Sequence, residues 1–495
     1  MRLGIDFGTT RTVVAAVQDG RHPVASYDED GEYKEHVPGV AAVVDGQLIV
    51  GWDAARAIAD GSAEHAIRSI KRVISSLAPD QPVPELPSIT ALELATLFLR
   101  ELRRVLVERS NLDLDPNELF ETMVAVPASA PSRQRWLTLE AFRRSGFQPI
   151  GLVNEPTAAA IELAHLHLSD LSASKRRSPK KYVVVYDLGG GTFDCSAVSL
   201  EGQRFDLIAS EGLMTLGGDD FDALICELAG IVPTPQALER AREAKESLRP
   251  ASKKLLLEDG EDSVAIEVSE LYARAQPMID QTIRQVEQLF ARLVERGIDP
   301  EDPRELGGVY LVGGGVAFPA VGRTLRERFG KKLQLAPQPF AATAVGLAIA
   351  ADPAQRVIVR EAITRHFGVW READNGTDKV FDSLIGKNTD LPVVTRRYRP
   401  THAVGHLRFL ECGALDDAGQ PIQDLVPCAD IYFPYDPALD GRGEAELAAV
   451  PNDRRTVKGD EIAETYAYST DGTISVRIEN VSRGYGRTFT IGALR

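Results

Sequence analysis

The sequence predicts an α/β domain followed by an all-β sandwich, and three observations carry that prediction. Through residue 352, short β-branched runs alternate with longer helical patterns, the order of elements that builds layered α/β folds. After Asp352 the helical text stops, and Asp-Gly, Asn-Gly and proline turns separate short alternating runs. The composition, 44% hydrophobic and 26% charged over 495 residues, supplies cores for two to four domains and is too apolar for wholesale disorder.

In chain order, Arg2–Ile5, Val13–Val17, Val124–Val126, Tyr182–Tyr186, Cys195–Leu200 and Val309–Val312 read as strands bounded by glycine or proline. Between them, Leu92, Ala95, Leu99, Leu102 and Leu106 recur at helical spacing, as do Ile279, Ile283, Val286, Phe290 and Leu293. In the β-rich part, Thr473–Ile478 alternates, as does the stretch around Val404, Leu407 and Phe409, and Asp471-Gly472 marks a hairpin. The expected boundaries are 1–352 for the α/β domain, 353–363 for a linker and 364–495 for the sandwich. A floppy linker would be rich in glycine and serine. Arg356–Glu361 instead carries Val357, Ile358 and Val359 between charges, so it either docks on a neighbouring surface or opens the sandwich as its first strand. The basic run Lys175–Lys181 is either a solvated loop or a contact for a polyanion.

Charge and cysteine content narrow the partners. Acids outnumber bases 72 to 56, for a net −16, and residues 1–352 hold 51 of the acids and 38 of the bases. A surface that acidic repels phosphate backbones, so nucleic acid is not expected as a partner. Four cysteines without a CxxC pair argue against a disulfide scaffold or a zinc ribbon. The start MRLGIDFG places Asp6 inside any signal-peptide core, and no window reaches the ~18 apolar residues of a membrane span. The expectation is a soluble cytoplasmic protein without a membrane partner.

The chemistry is written in two glycine–threonine turns, each following a strand and an aspartate: Gly4-Ile5-Asp6-Phe7-Gly8-Thr9-Thr10 and Asp187-Leu188-Gly189-Gly190-Gly191-Thr192-Phe193-Asp194. Glycine lets successive N–H groups approach an anion closely, threonine hydroxyls add donors, and aspartates hold Mg²⁺, usually through water. Either turn alone is weak evidence. Two of them facing each other would grip a polyphosphate from both sides. No GxxxxGK[ST] occurs, so a P-loop is excluded.

These turns resemble the two phosphate loops of the actin, hexokinase and heat-shock ATPase superfamily. Within it, the chain resembles the seventy-kilodalton heat-shock (DnaK-type) chaperones. Ala125-Val126-Pro127 with Gln134-Arg135, Val153–Ala160, Leu216–Asp222 and Ile70-Lys71-Arg72 carry that narrower match, and Leu384–Pro392 and Tyr468–Ile474 extend it into the β-rich part. The resemblance implies a two-lobed actin-like ATPase of ribonuclease H-like repeats, followed by a substrate-binding sandwich. It implies ATP and ADP as ligands with Mg²⁺, a client peptide or protein, and a J-type co-chaperone and exchange factor as further partners.

Carried over residue by residue, the resemblance places Asp6 and Asp187 in the Mg²⁺ shell. Gly8, Thr9, Thr10 and Gly189, Gly190, Gly191 and Thr192 would donate to the phosphates. Lys71 would lie near the γ-phosphate, and Glu155 with Asp194 would order the attacking water. Gly217, Gly218, Lys245, Arg249 and the Gly313-Gly314-Gly315 loop would complete the nucleotide pocket. Pro127, Arg135 and Glu155 match a relay from nucleotide to linker, with Val357, Ile358 and Val359 docking and Glu361 at the linker's end.

Two departures from the family pattern matter. Ala317 and Glu246 stand where the family's adenine-packing arginines would be, and Arg249, three residues along the helix, is the candidate replacement by stacking on the base. Losing two cation–π clamps worth ~0.5–2 kcal/mol each predicts ATP binding weaker by roughly one to three orders of magnitude. The text also reaches Arg495 without the family's helical lid, so fast peptide exchange and low affinity are expected, with Val404, Leu407 and Phe409 either lining the cleft or filling the core. The expected function is that of an ATP-hydrolysing, chaperone-like protein. The alternative is an actin-like scaffold or filament former, a sugar-kinase relative ranks below both, and a protein using nucleotide only as a structural ligand overlaps with the first reading and stays open because of the altered adenine end.

Overall fold

The computed structural model describes residues 1–171, 181–213, 215–259, 262–302, 304–361, 363–373, 378–387, 393–451, 460–469 and 472–492. Most of the basic run at 175–181 lies outside them, as do 388–392 and 470–471 of the β-rich motifs. The chain divides into two compact units. One comprises Met1–Leu77, Gln81–Ala128 and Thr138–Arg360, the other Ala78–Asp80, Ser129–Leu137 and Glu361–Arg495.

The first unit repeats one plan. β1 (Arg2–Phe7) pairs antiparallel with β2 (Arg11–Ala16), which continues to the short β3 (Val37–Pro38). On its other side β1 pairs parallel with β4 (Glu121–Val126), and β4 with β5 (Gln148–Asn154). In the second sheet, β6 (Tyr182–Leu188) pairs antiparallel with β7 (Phe193–Ser199), and β7 with β8 (Arg204–Leu213). Its far side carries β9 (Leu306–Val312) and β10 (Leu333–Leu335), both parallel. Each sheet thus places a hairpin turn, Phe7↔Thr12 or Leu188↔Phe193, at the end of its first strand.

Helices follow the strands, and Ala91–Arg109 and Val268–Glu295 lie where the apolar periodicity predicts them. α1 (Ile70–Ser75) is capped by the Ser69 side chain. α2 (Ala91–Arg109) starts from a Thr90–Glu93 capping box and buries the whole stripe Leu92, Ala95, Leu99, Leu102 and Leu106. α3 (Ser132–Arg144) and α4 (Glu155–Leu171) follow β4 and β5. α5 (Gly218–Ala229) and α6 (Pro235–Ser247) follow β8, and α7 (Val268–Glu295) buries Ile279, Val286 and Leu293 in the core of the second sheet. α8 (Ala342–Ala351) presses so closely on its neighbours that a Cβ on Gly346 would stand 1.8 Å from the Ala158 carbonyl oxygen.

The apolar patch after α8 docks. Ile358–Arg360 forms β11, paired parallel with β8 in the register Arg204↔Ile358, Phe205↔Val359 and Asp206↔Arg360. Val359 packs on Ala125, Val153, Ala158 and Leu347, so β11 belongs to the first unit and is not the opening strand of the β-rich part.

The second unit holds two antiparallel four-stranded sheets. One runs in the order β13 (Asp378–Ile385), β12 (His366–Ala373), β15 (Val404–Cys412), β16 (Val426–Pro434). The other runs β14 (Val393–Tyr398), β17 (Ile462–Tyr468), β18 (Ile474–Asn480), β19 (Tyr485–Thr490). They share one core, to which Phe367, Phe409 and Phe433 contribute from the first sheet and Tyr466, Val476 and Ile478 from the second. Leu407 and Phe409 are fully inside that core, and Val404 is half-buried at the start of β15, which settles the open choice for the first two in favour of core packing. The hairpin between β17 and β18 closes with Tyr468 opposite Ile474, and Gly472 takes a φ of 76°. Within this core Glu464 is buried, paired with Arg371 at 2.6 Å and hydrogen-bonded by the Tyr398 and Tyr466 hydroxyls.

Among the described residues no helix is long and apolar enough to cross a membrane.

Candidate functional site

The two glycine–threonine turns meet. A Cβ on Gly190 would stand 1.8 Å from Thr10 Oγ1 and 3.3 Å from Thr9 Oγ1, so only glycine allows the second turn to approach the first this closely. Each turn is fixed by its own backbone: Gly8 N–H donates to the Asp6 carbonyl at 3.0 Å, and Gly189 N–H to the Thr192 carbonyl at 3.0 Å. The start of α5 supports the second turn, because Gly218 and Asp219 N–H donate to the Gly189 and Gly190 carbonyls at 2.9 and 2.7 Å. Gly217 must lack a Cβ, which would lie 2.5 Å from the Gly190 oxygen. Gly191 faces Thr9 and the Arg72 side chain, and Arg72 lies 3.6 Å from Asp219.

Charged groups line the same place. Lys71, second residue of α1, donates to Glu155 Oε1 at 2.5 Å, and Glu155 is the first residue of α4 at the end of β5. Burial pulls the Lys71 pKa down, but the carboxylates of Glu155, Asp6 and Asp187 outweigh it and hold the ammonium above its ordinary value. Asp6 is the next-to-last residue of β1, and Asp187 stands opposite Asp194 across the β6–β7 hairpin. Burial, then the charge of Glu155, push Asp6 and Asp194 up to about 7 against the pull of Lys71. Asp187 is raised well above the usual carboxylate range for the same first reason. Four carboxylates around one ammonium leave an excess of negative charge that an added cation would relieve.

Polar atoms without partners test whether a ligand fits. Asp6 Oδ1, Asp194 Oδ1 and Thr10 Oγ1 are buried with no hydrogen-bond partner. Buried polar groups left this way are rare and costly in native proteins. An all-oxygen donor set suits Mg²⁺. Among the described residues no group of three His, Cys, Asp or Glu side chains is placed to hold a metal ion by itself. The residues present therefore fit a magnesium-bound polyphosphate.

The third glycine run joins the site. Gly313, with a φ of 85°, donates to the Pro339 carbonyl, and a Cβ on it would lie 2.4 Å from Asp187 Oδ1. Gly314 and Gly315 continue into the short helical turn Gly314–Ala317, with Gly315 against Leu188. Lys245 is buried and donates to the Gly218 carbonyl at 2.7 Å, with Asp222 Oδ1 at 2.6 Å, so it braces the α5 turn. Arg249, expected to complete the nucleotide pocket, bonds the end of its own helix. Its Nη1 donates to the carbonyls of Glu246, Ser247 and Leu248 at 3.2, 3.3 and 3.3 Å, so the guanidinium caps the end of α6.

The residues expected to couple the site to the linker fall in two places. Pro127 is buried directly after β4 in the first unit, whose β11 carries Ile358 and Val359 just beyond Val357. Arg135 is buried on α3 with its Nε donating to the Ala130 carbonyl, and both Arg135 and Glu361 belong to the second unit. Sequence reasoning passed over one pair altogether. Arg11 Nη2 donates to both carboxylate oxygens of Glu246 at 2.6 Å. The signal available was a charged residue directly after Thr9-Thr10, where an apolar strand begins.

The family model described as "Hsp70 protein" matches residues 86–363. The "Chaperone protein HscA" of Citrobacter koseri is 30% identical over 520 aligned positions, covering 97% of this chain and 76% of that protein. The "Chaperone protein HscA homolog" of Histophilus somni is 28% identical over 432 positions, covering 79% of this chain, and that of Chromobacterium violaceum is 32% identical over 381, covering 71%. In these two alignments the chain spans 64% and 58% of the relative's length.

Proposed function

Because the chain belongs to the Hsp70 family, we propose that it is an ATP-driven chaperone-like protein whose first unit is a two-lobed, actin-like ATPase. The observation that carries this reading is the meeting of Thr10 with Gly190 beside the unpartnered oxygens of Asp6 and Asp194.

Asp6 and Asp187 hold the hydration shell of Mg²⁺, which when bound offsets charge on the phosphate oxygens. Thr9, Thr10 and the Gly189–Thr192 turn donate to the phosphate chain. Lys71 offers its ammonium to the terminal phosphate, while Glu155 and Asp194 orient water for in-line attack. Gly313 to Gly315 form the nucleoside side of the pocket. With Arg249 tied to its own helix end and Ala317 in the loop, that side binds more weakly than in other family members.

Coupling runs through β11. Val359 packs against the cluster that β4, β5, α4 and α8 form, while its strand pairs with β8 of the other sheet, so a change in how the two sheets sit about the nucleotide alters the seat of the linker. The β-sandwich unit, 364–495 after the 353–363 linker and the 1–352 ATPase domain, takes a client peptide or protein. A J-type co-chaperone and an exchange factor complete the cycle. Nucleotide and client then affect each other's affinity by the same factor.

Calorimetric titration with Mg-ADP and Mg-ATP, paired with phosphate release with and without an apolar peptide, tests the proposal. Micromolar or weaker nucleotide binding and peptide-stimulated release support it. Release that requires a small-molecule acceptor identifies a kinase, and light scattering that rises on adding Mg-ATP identifies a filament former.

A further inference from the structure

We infer that Arg11 is a phosphate-contacting residue of the nucleotide site and that Glu246 is its positioning residue, an assignment that rests on the ATPase reading above. Arg11 opens β2 directly after Thr9 and Thr10, so its backbone is part of the first glycine–threonine turn. Its side chain crosses to the last turn of α6, where Nη2 donates to both Glu246 oxygens at 2.6 Å. Nη1 lies 3.8 Å from where a Cβ would stand on Gly314, in the third glycine run. Nε is buried and has no partner.

Three features point to one ligand chemistry. A guanidinium presents its donors in one plane, and the geometry matches phosphate oxygens two at a time. Glu246 occupies only Nη2, and a buried Nε without an acceptor is a donor held in reserve. The cation is also placed between the first phosphate turn, which its own backbone continues, and Gly314 of the third glycine run. The ion pair is partly exposed, with side chains 23% and 43% accessible, so by itself it contributes little to folding. Its consequence is orientation: Glu246 holds the fork of Arg11 over the pocket, and Arg11 cancels a carboxylate that would otherwise repel a polyanion.

The test is calorimetric titration of the full chain with Mg-ADP and, separately, with adenosine. Arg11→Ala is expected to weaken Mg-ADP about tenfold or more while leaving adenosine binding unchanged. Glu246→Gln is expected to weaken Mg-ADP less, and the double variant no more than Arg11→Ala alone. The exchanged pair, Arg11→Glu with Glu246→Arg, restores the ion pair but sets a carboxylate beside the phosphates, so it is expected to bind Mg-ADP more weakly than Arg11→Ala. Wild-type affinity in the exchanged pair would reduce Arg11 to a brace between β2 and α6. Equal losses for adenosine and Mg-ADP would overturn the phosphate contact. Should Arg11→Ala fail to fold, Arg11→Lys and the exchanged pair carry the same comparison. A wild-type chain that binds no Mg-ADP removes the ATPase reading and this assignment together, whereas wild-type binding with an unaffected Arg11→Ala removes this assignment alone.

Discussion

Lys71 donates to Glu155 Oε1 at 2.5 Å, in a buried site where Asp6, Asp187 and Asp194 add three more carboxylates. Burial works against the ammonium, and the carboxylates win. That balance keeps the lysine charged, ready to be shared with an incoming anion. Replacing it with alanine removes the positive side chain while leaving both glycine–threonine turns in place. In Lys71→Ala, single-turnover ATP cleavage is expected to fall about 10²-fold or more, with Mg-ADP affinity changed only a few-fold. Phosphate release and calorimetry on the same preparation check this, and unchanged cleavage would take Lys71 out of the reaction.

The docked linker makes a second, sharper contrast. Val359 packs on Ala125, Val153, Ala158 and Leu347, whereas its neighbour Ile358 is 58% exposed. A charge at 359 loses that packing and is desolvated, at a cost of about 1–3 kcal/mol, while a charge at 358 stays in water. Val359→Asp is therefore expected to speed trypsin cleavage at Arg356 and Arg360 about tenfold or more, and Ile358→Asp to leave it near the wild-type rate. Equal rates for the two variants would mean that β11 is not held by its inward side chain.

What was legible in the sequence was whatever local rules decide. Strand runs ending in glycine, the apolar stripe of α2 and the pairing of β17 with β18 each depend on neighbours within a few positions, and each is found along the predicted segment, with several strand ends displaced by one to three residues. Polar strand ends caused most of that displacement: Arg11 and Thr12 belong to β2 although the apolar run begins at Val13. The convergence of the two turns was an inference from their likeness, and it took the contact of Thr10 with Gly190 to give it geometry. Pairings between distant segments were not readable. Nothing near Arg11 announces Glu246, 235 residues away, and nothing near Arg371 announces Glu464. Helical phase likewise does not announce that Arg249 Nη1 donates to the carbonyls of Glu246 and Ser247 at the end of α6.

Two glycines in helices should respond in opposite ways to alanine. At Gly346 in α8 the added Cβ would stand 1.8 Å from the Ala158 carbonyl oxygen, so α8 and α4 must separate. At Gly322, in the helix Pro319–Phe329, nothing lies within 4 Å of the added atom. Gly346→Ala is expected to destabilise the first unit by about 1–3 kcal/mol or more through overpacking. Gly322→Ala is expected to stabilise it by roughly 0.4–1 kcal/mol through helix propensity and a less free unfolded chain. Urea unfolding of both variants gives the signs, and a neutral Gly346→Ala would show that the helices are less tightly apposed.

Glu162 supplies a pH dependence away from the reacting groups. It projects from α4, is 5% exposed, and accepts a hydrogen bond from the Tyr310 hydroxyl of β9. Burial raises its carboxyl to about 7, the Tyr310 hydrogen bond opposing the rise without cancelling it. In the unfolded chain the group titrates near its ordinary 4.5, so between these values the folded protein keeps a proton that the unfolded chain has released. Its contribution to stability is thus complete below the unfolded value and is lost as pH climbs through about 7. Glu162→Gln keeps the shape and removes the titration. Other buried carboxylates titrate identically in both proteins, so the difference between them isolates this group. From pH 5 to pH 8 the wild-type unfolding free energy is expected to drop by roughly 1–3 kcal/mol relative to the variant, read from urea titrations at each pH. Parallel pH curves for the two proteins would mean that Glu162 is already ionised in the folded chain at pH 5, with Tyr310 and water enough to solvate its charge.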